Sequence, residues 1–238
     1  MTYLKFHMML IKIFICFTAF AFSDSRIYVW TYEYQTMEKG AAEVEHYLTF
    51  KGNDRYTTEN AVTTIHNIEL EIGMNDRFDV GLYQNFSQAP EGNLRYDGYK
   101  VRMRYRLSEK GTFILDPLLY MEYKGTPDFS THVLEGKLIL AKDMGNLNIA
   151  LNPVIETALS SRENVTEFKY NAGISYRVNP LLALGLEIKG TGDQLFMGPV
   201  VSHGVDGLWV AIGSAFALNN ISNGHNPFQI RLITGIHF

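Results

Sequence analysis

FQIRLITGIHF, residues 228–238, sets Phe228, Ile230, Leu232, Thr234, Ile236 and Phe238 on one side of an extended chain. Gln229, Arg231, Ile233, Gly235 and His237 fall on the other. That period of two describes a strand with one apolar face and one largely polar face. Chain ends fray unless something ties them down, so an apolar stripe running to Phe238 needs a covering solvent and a partner for its last residue. A strand docked on a soluble core would meet that need. So would the closing strand of a barrel whose apolar face meets lipid.

Residues 1–25, MTYLKFHMMLIKIFICFTAFAFSDS, combine Lys5, an apolar stretch and the small-x-small run Ala21-Phe22-Ser23. This is the pattern of a secretory signal peptide over residues 1–23, with cleavage expected after Ser23. A membrane-spanning helix needs roughly 20 apolar residues, and Lys12 interrupts this run. Cys16 is the only cysteine, so the expected mature chain has no disulfide, thiolate metal site or cysteine nucleophile. Taking Lys5 and Lys12 from the 21 basic residues leaves 19 against 25 acidic ones, a net charge of −6. Nothing in that balance points to nucleic acid as a partner.

Hydrophobic residues make up 46% of the chain and aromatic ones 13%, yet no long apolar run follows residue 22. An exported chain of this kind can still cross a membrane if its apolar residues sit at alternate positions. Alternating segments separated by turn residues predict strands at 41–50, 61–73, 77–87, 94–107, 112–124, 131–143, 146–159, 165–178, 181–190, 194–202, 207–218 and 227–238. Leu147, Ile149, Leu151 and Ile155 alternate with Asn148, Asn152 and Glu156, and Phe168, Tyr170, Ile174 and Tyr176 with Glu167, Lys169 and Asn171. Twelve strands is an even number, as single-chain bacterial barrels require. The expectation is an all-β protein, a transmembrane antiparallel up-and-down β-barrel over residues 41–238, preceded by a lead-in at 24–40.

Connections after even strands read as tight (MNDR, SEKG, KDMGN, NP, HGVDG), and those after odd strands as longer and more polar. That asymmetry fits short periplasmic turns and longer outside loops. Tyr47, Phe78, Phe86, Tyr96, Tyr105, Tyr123, Phe168, Tyr176 and Phe228 lie near strand ends, where aromatic girdles meet headgroups. Pro117, Pro153 and Pro199 fall inside strands and predict bulges or bends, since each lacks a ladder N–H. The lead-in RIYVWTYEYQTMEKG also alternates, and counting it would give an odd strand number; it is assigned to the periplasmic mouth or the lumen.

An alternating strand ending in phenylalanine resembles the assembly signal of bacterial outer-membrane proteins. That resemblance implies the outer membrane as location, its lipid as solvent and the barrel-insertion machinery as a partner. The stretches YVWTYEYQTMEKGAAEVEHYLT (28–49), IELEIGMNDRFDVGLY (68–83) and DPLLYMEY (116–123) are together similar to outer-membrane barrels associated with the meta-pathway of phenol degradation. The resemblance implies a barrel passing small-molecule solutes and specifies no substrate.

Lys100, Arg102, Arg104 and Arg106 alternate along one strand. Facing lipid, each would cost several kcal/mol near the bilayer midplane, about 2–4 for Arg or Lys, so they are expected to line the lumen. Glu43, Glu45, Glu69, Glu71 and Asp79 form an acidic counterpart on the first three strands, with Asp116 on the fifth. A tight SEKG turn would set Arg104 opposite Asp116, and the MNDR turn Glu71 opposite Asp79. In an open lumen that arrangement puts a positive wall across from a negative one. Three readings follow: a passive channel, a closed barrel plugged by its own charges, and a lipid-modifying enzyme. The enzyme rests only on Ser222, Asn223, Gly224 and His225, a turn-rich string whose order differs from that of phospholipase barrels, so no catalytic residue is assigned. His46, His66, His132 and His203 show no metal-ligand spacing, and no cofactor is expected.

Phe238 is expected to matter for assembly more than for packing, because burying one such ring is worth about 1.5–3 kcal/mol. Deleting it should lower insertion in cells, measured by membrane fractionation, and leave refolding in detergent largely intact. Equal losses in both assays would exclude an assembly role.

Overall fold

The ladder that begins at residue 228 finds partners on both sides in a computed structural model, which describes residues 26–54, 56–160, 163–205, 207–221 and 226–238. The strands are β1 (Ala42–Gly52), β2 (Val62–Asn75), β3 (Phe78–Gln88), β4 (Arg95–Arg106), β5 (Asp116–Gly125) and β6 (His132–Met144). They continue as β7 (Leu147–Leu159), β8 (Val165–Asn179), β9 (Leu182–Thr191), β10 (Gln194–Val205), β11 (Leu208–Ala217) and β12 (Phe228–His237). Each pairs antiparallel with its sequence neighbours, and β1 pairs with β12 to close the barrel. At the seam the Ala42 N–H donates to the Phe238 carbonyl (3.1 Å) and the Phe238 N–H to the Ala42 carbonyl (2.9 Å). The last residue is tied to the first strand.

Closure turns sequence alternation into an inside and an outside. Ile230, Ile236 and Phe238 point outward, as do Phe168, Tyr170, Ile174 and Tyr176 on β8 and Leu184 and Leu186 on β9. Their inward neighbours Asn148, Asn152, Ser175, Glu187 and Gln229 are buried within the barrel. An apolar exterior around a polar, ion-paired interior is the inverse of a soluble sandwich and defines a transmembrane β-barrel.

Four local expectations are corrected. The SEKG connection is a loop over residues 107–115, so Arg104 lies opposite Tyr120, and Asp116 opposite Ala141. A register shift between Gly73 and Asn75 sets Asp79 opposite Gly73 and Glu71 opposite Gly81, so the two carboxylates are diagonal neighbours. Pro117, Pro153 and Pro199 produce no register shift. Shifts fall instead at Gly73/Asn75, Asn85/Phe86 and Arg177/Asn179, near strand ends where turn geometry forces the offset. Tyr47 is likewise absent from the aromatic girdle: it points inward and is 5% exposed. The expected signal peptide at residues 1–23 and the string Ser222–Asn223–Gly224–His225 lie outside the described residues.

The remaining terminal-end connections span residues 76–77, 145–146, 180–181 and 206–207. Those at the opposite end run longer (53–61, 89–94, 126–131, 160–164, 218–227), apart from 192–193. By the rule for outer-membrane barrels the terminal end faces the periplasm and the long-loop end the outside.

Candidate functional site: a lead-in threaded through a charged lumen

Residues 26–40 enter from the terminal rim and run inside the barrel. Gly40 donates to the Gly73 carbonyl at that rim (2.8 Å), and the Tyr34 hydroxyl donates to the Ser108 carbonyl. At mid-depth the backbone N–H groups of Val29, Trp30 and Thr31 converge on the Glu187 carboxylate at 3.0, 2.9 and 2.7 Å. Tyr32 exchanges two hydrogen bonds with the Asn152 side chain: its N–H donates at 2.6 Å and its carbonyl accepts at 3.0 Å. Reaching back toward the terminal end, the Tyr28 hydroxyl donates to Asn148 Oδ1 at the start of β7 (2.9 Å). Tyr28, Val29 and Thr31 are 0%, 0% and 1% exposed, so the segment belongs to the interior rather than to the mouth. Gly173 admits it: a β-carbon there would sit 2.5 Å from the Tyr28 ring.

Below this crossing lies the cluster formed by the acidic and basic candidates. Arg102 of β4 reaches Glu69 (3.1 Å), Glu71 (2.8 Å) and Asp79 (3.5 Å) with one terminal nitrogen. To do so it spans β3, and only the missing side chain of Gly81 permits this: a β-carbon at that position would collide with both Glu69 and Arg102. Arg104 lies opposite Asp79, holds it through Nε (3.0 Å) and Nη2 (2.7 Å), and also hydrogen-bonds Glu71. The Met37 N–H donates to Asp79 as well (2.9 Å), so the lead-in completes the cluster. Glu69 further accepts from the Tyr47 hydroxyl (2.8 Å), which also hydrogen-bonds Glu45 and accepts from Arg26 (2.8 Å).

The other candidates disperse. Glu43 accepts from the Trp209 indole (3.0 Å). Asp116 accepts from the Gly111 N–H (2.8 Å) and shapes the 107–115 loop. Arg106 sits at the rim, bonded to the Asp76 carbonyl. Lys100 lies on the far side of the crossing, 3.5 Å from Glu122. The positive and negative walls expected across a gap are therefore adjacent strands in direct contact: β4 neutralises β2 and β3 laterally. Buried ions demand such pairing, because each loses its hydration when taken from water.

Toward the long-loop end the lumen widens into a cavity of about 360 Å³, floored by Trp30 and Tyr32. Among the described residues seven cations line it against three carboxylates. Glu122, Glu135 and Glu156 belong to one ladder with Lys100, Lys124, Lys137 and Lys169; Lys124 alone reaches all three, at 3.3, 3.1 and 2.7 Å. The sequence reading missed this ladder and the Glu187 cradle, although both sit on inward positions of strands it had placed. The signal available was an uncompensated charge at an inward position.

No protein-family model and no curated protein matches the sequence. Solved structures do. An outer-membrane channel from Pseudomonas putida F1 superposes with a TM-score of 0.63 at 12% identity, covering 89% of this chain and all (100%) of that one. The NanC porin superposes at 0.56 with 8% identity over 82% of this chain and 98% of its own. The KdgM porin, in complex with disordered oligogalacturonate, gives 0.53 at 12% identity over 83% and 98%. The architecture is thus that of outer-membrane channel and porin barrels.

Arg102→Ala should cost about 3–5 kcal/mol, the usual penalty for leaving buried carboxylates without their cation. Urea unfolding of the refolded barrel measures this, and a loss below about 1 kcal/mol, the range of exposed pairs, would show the cluster to be hydrated.

Proposed function

We propose that the protein is a passive outer-membrane channel for small solutes whose bore is set by residues 26–40. One observation carries this reading: an open, charge-lined cavity at the long-loop end has the lead-in for its floor, and the same segment occupies the lumen beneath it. The likeness to channels and porins supports it at the level of fold. The sequence resemblance to meta-pathway phenol-degradation barrels joins the same proposal, as do lipid on the outer face and the insertion machinery as assembly partner. A second reading, a closed barrel plugged by its own ions, is favoured by the direct pairing of Arg102 and Arg104 with Glu69, Glu71 and Asp79.

Planar-bilayer recordings separate the two. A channel narrowed by its lead-in conducts, and deleting residues 26–40 should raise its unit conductance severalfold. A barrel silent both with and without the segment would establish the plugged reading.

Glu33 gives the lead-in a pH dependence. Burial pushes its carboxyl up to about 7, against the opposing pull of the Ile27 N–H donated to it at 2.8 Å. A carboxyl released to solvent titrates near 4.3, so the docked segment binds the proton more tightly than the released one. Docking is therefore most stable below about 4.3 and loses that contribution as pH rises toward about 7. Conductance should rise across that window, and Glu33→Gln should flatten the rise. An unchanged pH profile in Glu33→Gln would remove Glu33 from the control of docking.

A further inference from the structure

Of the seven cations facing the outer cavity, Lys100, Lys124, Lys137 and Lys169 share the three carboxylates. The other three, Lys51 on β1, Lys189 on β9 and Arg231 on β12, have no carboxylate within ion-pair distance among the described residues. Glu187, next but one to Lys189 on the same inward face, accepts three lead-in N–H groups and makes no ion pair with either cation. The three cations are held in place all the same. Lys189 donates to Gln229 Oε1 (3.1 Å), which leaves the amide to present its NH2 group; Lys51 is the ladder partner of Gln229. Arg231 donates from Nε to Thr49 (2.8 Å) and from Nη1 to the Val29 carbonyl (3.0 Å), leaving Nη2 of its fork without an acceptor among the described residues. Lys189 and Arg231 lie 5.3 and 5.5 Å from the centre of the Trp30 ring.

Like charges gathered in a partly desolvated cavity repel one another, and an anion between them removes that repulsion. A guanidinium with an unused nitrogen, two ammonium groups and an amide NH2 are donors suited to a planar oxyanion. The geometry points to a binding site for a small organic carboxylate among Lys51, Lys189, Arg231 and Gln229, on the Trp30 floor. Its use for selecting solutes rests on the channel reading, whereas its occupancy does not.

The mature protein contains Trp30 and Trp209 as its two tryptophans, so Trp209→Phe leaves Trp30 as the sole indole reporter. The refolded barrel, titrated with sodium acetate at constant ionic strength, should show a saturable change in Trp30 emission. Calorimetric titration of the unsubstituted barrel should reproduce the affinity and guards against a folding defect in Trp209→Phe. Lys189→Gln with Arg231→Gln should weaken binding at least about tenfold, about 1.4 kcal/mol, and Arg231→Lys by less. Saturation by inorganic phosphate but not by acetate would overturn the carboxylate assignment, and saturation by neither would overturn the site. In bilayers acetate should reduce the unit current of the unsubstituted protein and leave that of the double variant unchanged. A silent barrel that binds acetate retires the channel reading and leaves the site standing. A conducting barrel without saturable binding does the reverse.

Discussion

Everything in this molecule follows from the seam between β1 and β12. Hydrocarbon offers no partner to a backbone N–H or C=O, so a sheet that crosses it must have no edge. The reciprocal bonds between Ala42 and Phe238 meet that demand at the terminal end, and the unbroken pairing from Glu43–His237 to Lys51–Gln229 meets it over the rest of the seam. Once the sheet is closed, each strand sorts its side chains by parity. Apolar residues go to lipid, and every charge on an inward position must find its counter-charge, its donor or its water inside one narrow lumen.

The lumen solves that problem differently at its two ends. Toward the periplasm, Arg102 and Arg104 cross-link β2, β3 and β4, and Met37 caps Asp79 with a backbone N–H. At mid-depth Glu187 receives three N–H groups where a cation would otherwise be required. Glu187 spends its acceptors on the lead-in backbone, and above it Lys189 and Arg231 face the outer cavity with no carboxylate within ion-pair distance among the described residues. The same segment that fills the inner lumen thus also floors the outer one.

Much of this was legible in the sequence. Parity gave the strand count, nearly all the strand limits and the inward face of Arg102, Arg104, Glu69, Glu71 and Asp79, because the lipid cost of a misplaced charge leaves parity no freedom. Register was less legible. Glu71 meets Gly81 instead of Asp79, and Arg104 meets Tyr120 instead of Asp116, displacements of two and four residues; an even displacement moves every cross-strand pair without changing which face a residue takes. The Arg104–Asp116 pairing failed for that reason alone. Tyr47 was misread because an aromatic near a strand end suits either a headgroup belt or a carboxylate it can donate to, and only its parity with Glu45 decides between them. The lead-in could not be placed by periodicity: its alternation is real, but its partners are side chains of the wall rather than a neighbouring strand.

That difference in partners also separates the lead-in from the wall energetically. Wall strands are joined by backbone ladders that have no substitute in lipid, whereas the lead-in is held by side-chain acceptors such as Glu187, Asn152 and Asp79. Water can replace each of those bonds at a net cost of about 0.5–1.5 kcal/mol, or up to about 3 where the acceptor is charged. The cavity above already brings solvent to the Trp30 floor. Displacing residues 26–40 would therefore leave the barrel closed and its exterior unchanged. It would also give the Glu187 carboxylate water in place of its three backbone donors. The lead-in is thus the separable part of the structure, since the wall keeps its ladders whether or not the lumen is filled.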